Sequence, residues 1–119
     1  MIVGIGVDVV DLARFERALT RTPGLLDRLF AVSERGLPLR SLAGRFAAKE
    51  ALMKALGETD GISWQEMRIE QDAHGNPDFA LDGRAAEIAA RRGIGRIHVS
   101  MSHDAGIATA FVVAEAVPV

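Results

Sequence analysis

Residues 41–56, SLAGRFAAKEALMKAL, are strong helix formers with a single interior glycine, and Gly57 follows them. This composition predicts a long helix from about Ser41 to Leu56, closed at Gly57. Placed at about 100° per residue, Leu42, Phe46, Met53 and Leu56 form an apolar stripe. A surface helix carries its charges opposite such a stripe. Here the opposite side holds Gly44, Ala48, Ala51 and Ala55, while Lys49 lies within the stripe, Arg45 and Glu50 at its margins, and Lys54 beyond Glu50. The pattern predicts a helix packed by its small-residue side, its charges turned toward something ordered, because half-buried charges need partners or a ligand. Spacing also allows a plainer alternative, in which Glu50 and Lys54 form an ordinary i, i+4 ion pair on a solvated face.

Outward from this helix, residues 2–10 (IVGIGVDVV) are apolar and β-branched and predict a mostly buried strand. Val3, Ile5, Val7 and Val9 share one face; Gly4, Gly6, Asp8 and Val10 share the other. Asp8 breaks the pattern. Buried there, a carboxylate needs a cation or donors; at a strand end it would simply be solvated. The two glycines leave room for close approach of a backbone or ligand. Gly4-x-Gly6 lacks the third glycine and the strand-to-helix turn of a dinucleotide fingerprint.

Asp11 caps a predicted helix with Leu12, Phe15 and Leu19 on one stripe, and Pro23 opens a short one through Phe30. Residues 31–40 are irregular. A strand near 64–71, a turn at His74-Gly75-Asn76-Pro77 and a short strand with Phe79 and Leu81 follow. Asp82 caps a helix to Arg92. A strand with Ile97, Val99 and Met101, a turn from Ser102 to Gly106 and a final strand at 107–115 complete the chain. Strands and helices do not alternate regularly. The expectation is one domain over residues 1–119 with an α+β fold: a largely antiparallel sheet packed with one long and several short helices.

The chain of 119 residues contains no cysteine, which excludes a disulfide scaffold, a cysteine nucleophile and a thiolate zinc site. The apolar N-terminal run is too short to span a bilayer, and the expectation is a soluble cytoplasmic protein with no membrane partner. A net charge of −2 argues against general nucleic-acid binding. Of 14 basic residues only Lys49 and Lys54 are lysines, both on the long helix, where an ammonium differs from a guanidinium in shape and hydration. His103 falls in the polar tip Ser100-Met101-Ser102-His103-Asp104. His74 and His98 read as turn and outward-facing residues, and the three lack zinc-ligand spacing.

Three blocks contain Asp8, Arg45, Glu50, Lys54 and His103. They are GIGVDVVDLARFERAL (4–19), GRFAAKEALMKALG (44–57) and HVSMSHDAGIATAFVV (98–113). In order and spacing they resemble the holo-acyl-carrier-protein synthase family of phosphopantetheinyl transferases. The resemblance implies transfer of 4′-phosphopantetheine from coenzyme A to a serine of acyl carrier protein, with release of adenosine 3′,5′-bisphosphate. It implies that Asp8 and Glu50 hold Mg²⁺, that Glu50 or a water beside it takes the serine proton, and that Lys54 touches the phosphates. Arg45 and His103 resemble the residues beside coenzyme A phosphates, and Gly75 and Pro77 the turn bordering adenine. Lys49 orients Glu50 or is structural.

Arg14, Arg17 and Arg21 resemble the basic face that meets the acidic carrier protein; on charge alone they form a solvated helix face. The family is typically a homotrimer with sites between subunits. The stretch from Glu34 to Arg45 is shorter than usual, which reduces the family's basic nucleotide contacts there to Arg40, and Glu58-Thr59-Asp60-Gly61 replaces the common Gly-Thr-Gly. Two other functions compete: a non-catalytic module that binds coenzyme A or a nucleotide, and a metal-dependent phosphohydrolase using Asp8 and Glu50.

Overall fold

The computed structural model describes residues 1–117. The chain runs β1 (Ile2–Asp11), α1 (Leu12–Arg21), α2 (Leu25–Leu29), a 3-10 turn at Val32–Glu34, then the long helix α3 (Leu39–Leu56). A second 3-10 turn (Trp64–Glu66) leads into β2 (Met67–Gln71), β3 (Pro77–Leu81), α4 (Gly83–Arg91), β4 (Ile94–Asp104) and β5 (Ile107–Ala116). Every strand pairing among the described residues is antiparallel, as expected of the α+β class. The strands divide into two sheets, β1-β5-β4 and the hairpin β2-β3.

The small side of α3 lies on the larger sheet. Gly4, Gly6, Asp8 and Val10 of β1 stand opposite Ala114, Val112, Ala110 and Ala108 of β5, so the inner face is a strip of small residues. Ala48, Ala51 and Ala55 are buried against it. A Cβ on Gly6 would collide with the Ala51 carbonyl, and one on Gly4 with that of Ala55. Helix and strand backbones meet directly, which only glycine permits.

The other face of β1 differs from expectation. Ile5, Val7 and Val9 are more than half exposed, as is nearly so Phe111 beside Val7. The strand is buried on its glycine face and open on its large apolar face, because one helix layer covers only one side of a three-stranded sheet.

Several element ends also shift. α3 starts at Leu39 after Pro38, not at Ser41, and α2 is shorter than the Pro23–Phe30 expectation because Gly24 adopts a left-handed φ of 82° just before it. Residues 64–66 form a 3-10 turn before β2. Asp11 caps α1 as expected, accepting from the Arg14 amide at 2.9 Å. Asp82 occupies the N-cap of α4, but its carboxylate takes Arg68 Nη1 at 2.7 Å, and Glu66 receives the Arg84 amide instead. β4 continues to Asp104, so His103 is a strand residue opposite Ala108 and the turn is the pair Ala105-Gly106. Both have positive φ (50° and 76°), the primed geometry that suits the twist of a tight hairpin.

Candidate active site

From Arg45 onward, the charges of α3 go to three destinations. Lys49 and Arg45 turn inward to one anion, Glu34 of the first 3-10 turn. Lys49 and Glu34 are fully buried, with Lys49 Nζ 2.8 Å from Glu34 Oε1 and Arg45 Nη1 3.2 Å from Oε2. Lys49 also donates to the carbonyls of Leu29 (2.8 Å) and Trp64 (3.4 Å) and sits 4.9 Å from the Phe30 ring centre. Arg45 donates to the Ile69 carbonyl. Burial works to raise the Glu34 carboxyl, but the Lys49 ammonium and the amides of Ile69 and Ala31 outweigh it and hold Glu34 below the usual carboxylate range.

Lys54 crosses to β1. Its Nζ donates to the Val7 carbonyl at 2.8 Å and to Asp8 Oδ1 at 3.3 Å. Asp8 is half-buried in mid-strand, not a solvated strand end, and of the two expected kinds of partner, a cation or donors, it meets a cation. The i, i+4 alternative fails: no Glu50–Lys54 ion pair forms among the described residues.

Glu50 lines a cleft of about 440 Å³ together with Asp8 and residues 9–11 of β1, Arg14 of α1 and Arg28 of α2. Its inner wall is aromatic: Phe15 stacks on Phe46 at 5.3 Å, and Phe46 packs on Trp64 at 5.4 Å. Burial, then the Asp8 carboxylate, raises the pKa of Glu50 above the ordinary value, while Lys54 pulls it down. Asp8 and Glu50 thus face one space and repel each other. No group of three His, Cys, Asp or Glu gathers among the described residues. The donor set is two hard carboxylates that a divalent cation would relieve of repulsion. Mg²⁺ fits this chemistry, since it takes few protein ligands and completes its shell with water and phosphate oxygens.

A second cleft, about 360 Å³, lies on the other side of α3 and contains Arg40, Arg45, Gly75, Pro77 and His103. Gly75 sits at φ 81° in the β2–β3 turn, where Asp72 accepts from the amides of His74 and Asn76 at 2.8 and 2.9 Å. The two clefts share no lining residue. The structure therefore gathers the expected residues into two groups. Asp8, Glu50 and Arg14, with Lys54 beside Asp8, form one; Arg45, Gly75, Pro77 and His103 form the other. Arg17 and Arg21 are exposed on α1 outside both.

Sequence reasoning did not single out Glu34, Arg28 or Trp64. The signal for Glu34 was indirect: two cations on a buried stripe demand an anion, and the irregular stretch 31–40 contains just this one acid. Glu58, in the divergent segment after α3, is tied to Arg84 and Arg91 of α4 and lies in neither cleft.

Residues 4–112 match the family model of the 4′-phosphopantetheinyl transferase superfamily. A holo-[acyl-carrier-protein] synthase of Clavibacter sepedonicus is 68% identical over 115 residues, 97% of each chain. Among solved structures, the holo-[acyl-carrier-protein] synthase of Neisseria meningitidis superposes with a TM-score of 0.85 at 38% identity, covering 97% of this chain and 99% of that one. The Helicobacter pylori synthase in complex with coenzyme A superposes with a TM-score of 0.82 at 34% identity, covering 93% and 99%.

Proposed function

Because the chain belongs to the 4′-phosphopantetheinyl transferase superfamily, among its holo-[acyl-carrier-protein] synthases, we propose that it transfers 4′-phosphopantetheine from coenzyme A to a serine of apo acyl carrier protein at the Asp8–Glu50 cleft. The observation that carries this reading is the meeting of two carboxylates from distant segments in one space, with a lysine beside them.

The serine oxygen attacks the phosphorus next to pantetheine. The bond from that phosphorus to the bridging oxygen breaks, and its electron pair leaves with adenosine 3′,5′-bisphosphate. Glu50 accepts the serine proton, directly or through water. Asp8 and Glu50 would hold Mg²⁺, which when bound supplies charge neutralisation at the diphosphate. Lys54 is more than half exposed and long enough to leave Asp8 for a phosphate oxygen, where a fixed ammonium stabilises developing charge.

Arg45, Gly75, Pro77 and His103 form the nucleotide cleft in this reading. Since that cleft is separate from the carboxylates within one chain, a second copy is needed to close it over the transferred group. The exposed face of Ile5, Val7, Val9 and Phe111 supports such assembly into a homotrimer. Arg14, Arg17, Arg21 and Arg28 give the α1–α2 side a basic surface for an acidic carrier protein, where complementary charge raises the on-rate.

Intact-mass measurement of apo carrier protein with coenzyme A and Mg²⁺ tests the proposal. Serine-linked phosphopantetheine is expected. Free phosphopantetheine would indicate a phosphohydrolase, and coenzyme binding without bisphosphate release a non-catalytic module; either would reject the transferase.

A further inference from the structure

Glu34 touches neither cleft, yet it is bonded to the walls of both. Its four lone-pair positions are all used. Oε1 accepts from the Ala31 amide (3.0 Å) and Lys49 Nζ (2.8 Å); Oε2 accepts from Arg45 Nη1 (3.2 Å) and the Ile69 amide (3.1 Å). These bonds join its own turn, two successive turns of α3 and strand β2. Lys49 extends the link to the carbonyls of Leu29 and Trp64, which line the carboxylate cleft, while Arg45 lines the nucleotide cleft.

Stability alone does not call for such a cluster. A buried ion group loses much of its Coulomb energy to desolvation, and apolar side chains of similar volume often do as well or better. An apolar cluster could not fix the direction of the Arg45 guanidinium or the rotation of α3 about its axis. Lys49 precedes Glu50, so a locked Lys49 sets the azimuth at which Glu50 enters its cleft. Arg45 and Glu50 are five residues apart, about 7.5 Å along the axis, and Glu34 grips the helix at Arg45 and at Lys49, the residue before Glu50.

We propose that Glu34 is a positioning residue for the transfer reaction, aligning the arginine of the nucleotide cleft with the carboxylates of the other cleft through Arg45 and Lys49. The inference rests on the transferase reading for its kinetic consequence. Its structural consequence is independent, because Trp64 is the single tryptophan of the chain and reports directly on one cleft wall.

The test uses the full-length protein with Glu34→Gln, which keeps the shape and places an amide N–H₂ against cationic donors. Lys49→Met removes the ammonium from the other side of the link. Glu58→Gln, at the surface ion pairs with Arg84 and Arg91 and lining neither cleft, is the control. Acrylamide quenching of Trp64 and the kcat and KM for coenzyme A are measured on samples shown to be folded by a cooperative melt. Glu34→Gln and Lys49→Met are each expected to increase quenching and to lower kcat/KM about 10- to 100-fold, the scale of a misplacement near 1 Å, with KM for coenzyme A raised. Glu58→Gln is expected to change neither readout. Folded variants with wild-type quenching and kinetics would overturn the proposal. Loss of the fold in both would assign the cluster to stability alone and overturn it equally. Inactive wild-type enzyme would reject the transferase reading, while the Trp64 quenching would still decide whether Glu34 holds the wall.

Discussion

Lys54 leaves its helical neighbour Glu50 and reaches across to β1, where its ammonium lies 3.3 Å from Asp8 Oδ1 and 2.8 Å from the Val7 carbonyl. The contact joins the long helix to the first strand at the mouth of the carboxylate cleft. Since Lys54 is largely exposed, replacing it should cost little stability. Lys54→Met is expected to melt near the wild-type temperature and to lose about 10²-fold in kcat, as loss of one charge-stabilising donor does elsewhere. Steady-state transfer assays with a parallel thermal melt check both halves; an unchanged kcat would remove Lys54 from the chemistry.

The glycine face of β1 makes a stability prediction independent of function. Gly6→Ala drives a Cβ into the Ala51 backbone carbonyl, which has no flexible atom to yield. Helix α3 and β1 must separate, and overpacking of this kind costs about 1–3 kcal/mol. Urea denaturation should show a lower midpoint with unchanged slope. An unchanged midpoint would mean that the helix does not sit on the strand this closely.

Acid sensitivity should trace to Glu34. Its folded pKa lies below its unfolded value near 4.5 because Lys49 and two amides hold the ionised form. The stabilisation is therefore complete above about pH 4.5 and is lost as pH falls through the lower, folded value. Glu34→Gln is expected to be less stable at pH 7 and to show a shallower loss of stability as pH falls below about 4.5. Equal acid slopes for the two proteins would contradict the assignment.

Glu50 carries the opposite sign. Burial and the Asp8 charge raise its folded pKa, so in chelator-treated protein its ionised form opposes folding, increasingly as pH rises from 4.5 through that raised value. Glu50→Gln is expected to raise the melting temperature at pH 7.5 in EDTA while eliminating transfer. A lowered melting temperature would show that Glu50 is already satisfied without a cation.

The division of the site into two clefts predicts complementation. Glu50→Gln and His103→Ala should each be inactive alone. Mixed and reassembled, they should recover about a quarter of wild-type activity if each site draws one cleft from each of two neighbouring copies of a cyclic assembly. No recovery in reassembled mixtures would place all the machinery within one chain.

Much of this was legible in the residues. The alternation of small and large side chains in IVGIGVDVV set which face of β1 meets the helix, and the inverted pattern of residues 41–56 showed that α3 packs by its alanines. An acid amid valines and glycines calls for a cation or donors beside Asp8 if it is buried, and Lys54 is such a cation. The destination of the helix charges was less legible. The helix pattern shows that Lys49 and Arg45 need partners or a ligand but not which; Lys49 is wholly and Arg45 largely engaged by Glu34, 15 and 11 residues earlier in a stretch with no periodicity. Tertiary pairing between an irregular segment and a helix leaves no local pattern. The reach of β4 through His103 was hidden for a related reason: Ser102, His103 and Asp104 are exposed, and a solvated hairpin end has turn-like composition even while its backbone is still paired. The open face of β1 is hidden from sequence because β-branched apolar side chains predict a mostly buried strand, and among the described residues nothing covers Ile5, Val7 and Val9.

The most direct measurement is intact mass of apo acyl carrier protein after incubation with coenzyme A and limiting Mg²⁺, using wild-type, Asp8→Ala and Glu50→Ala enzymes. The account predicts one phosphopantetheine added by the wild type, none after EDTA treatment, and none within the same time from either variant. Full modification by both variants at limiting Mg²⁺ would contradict it.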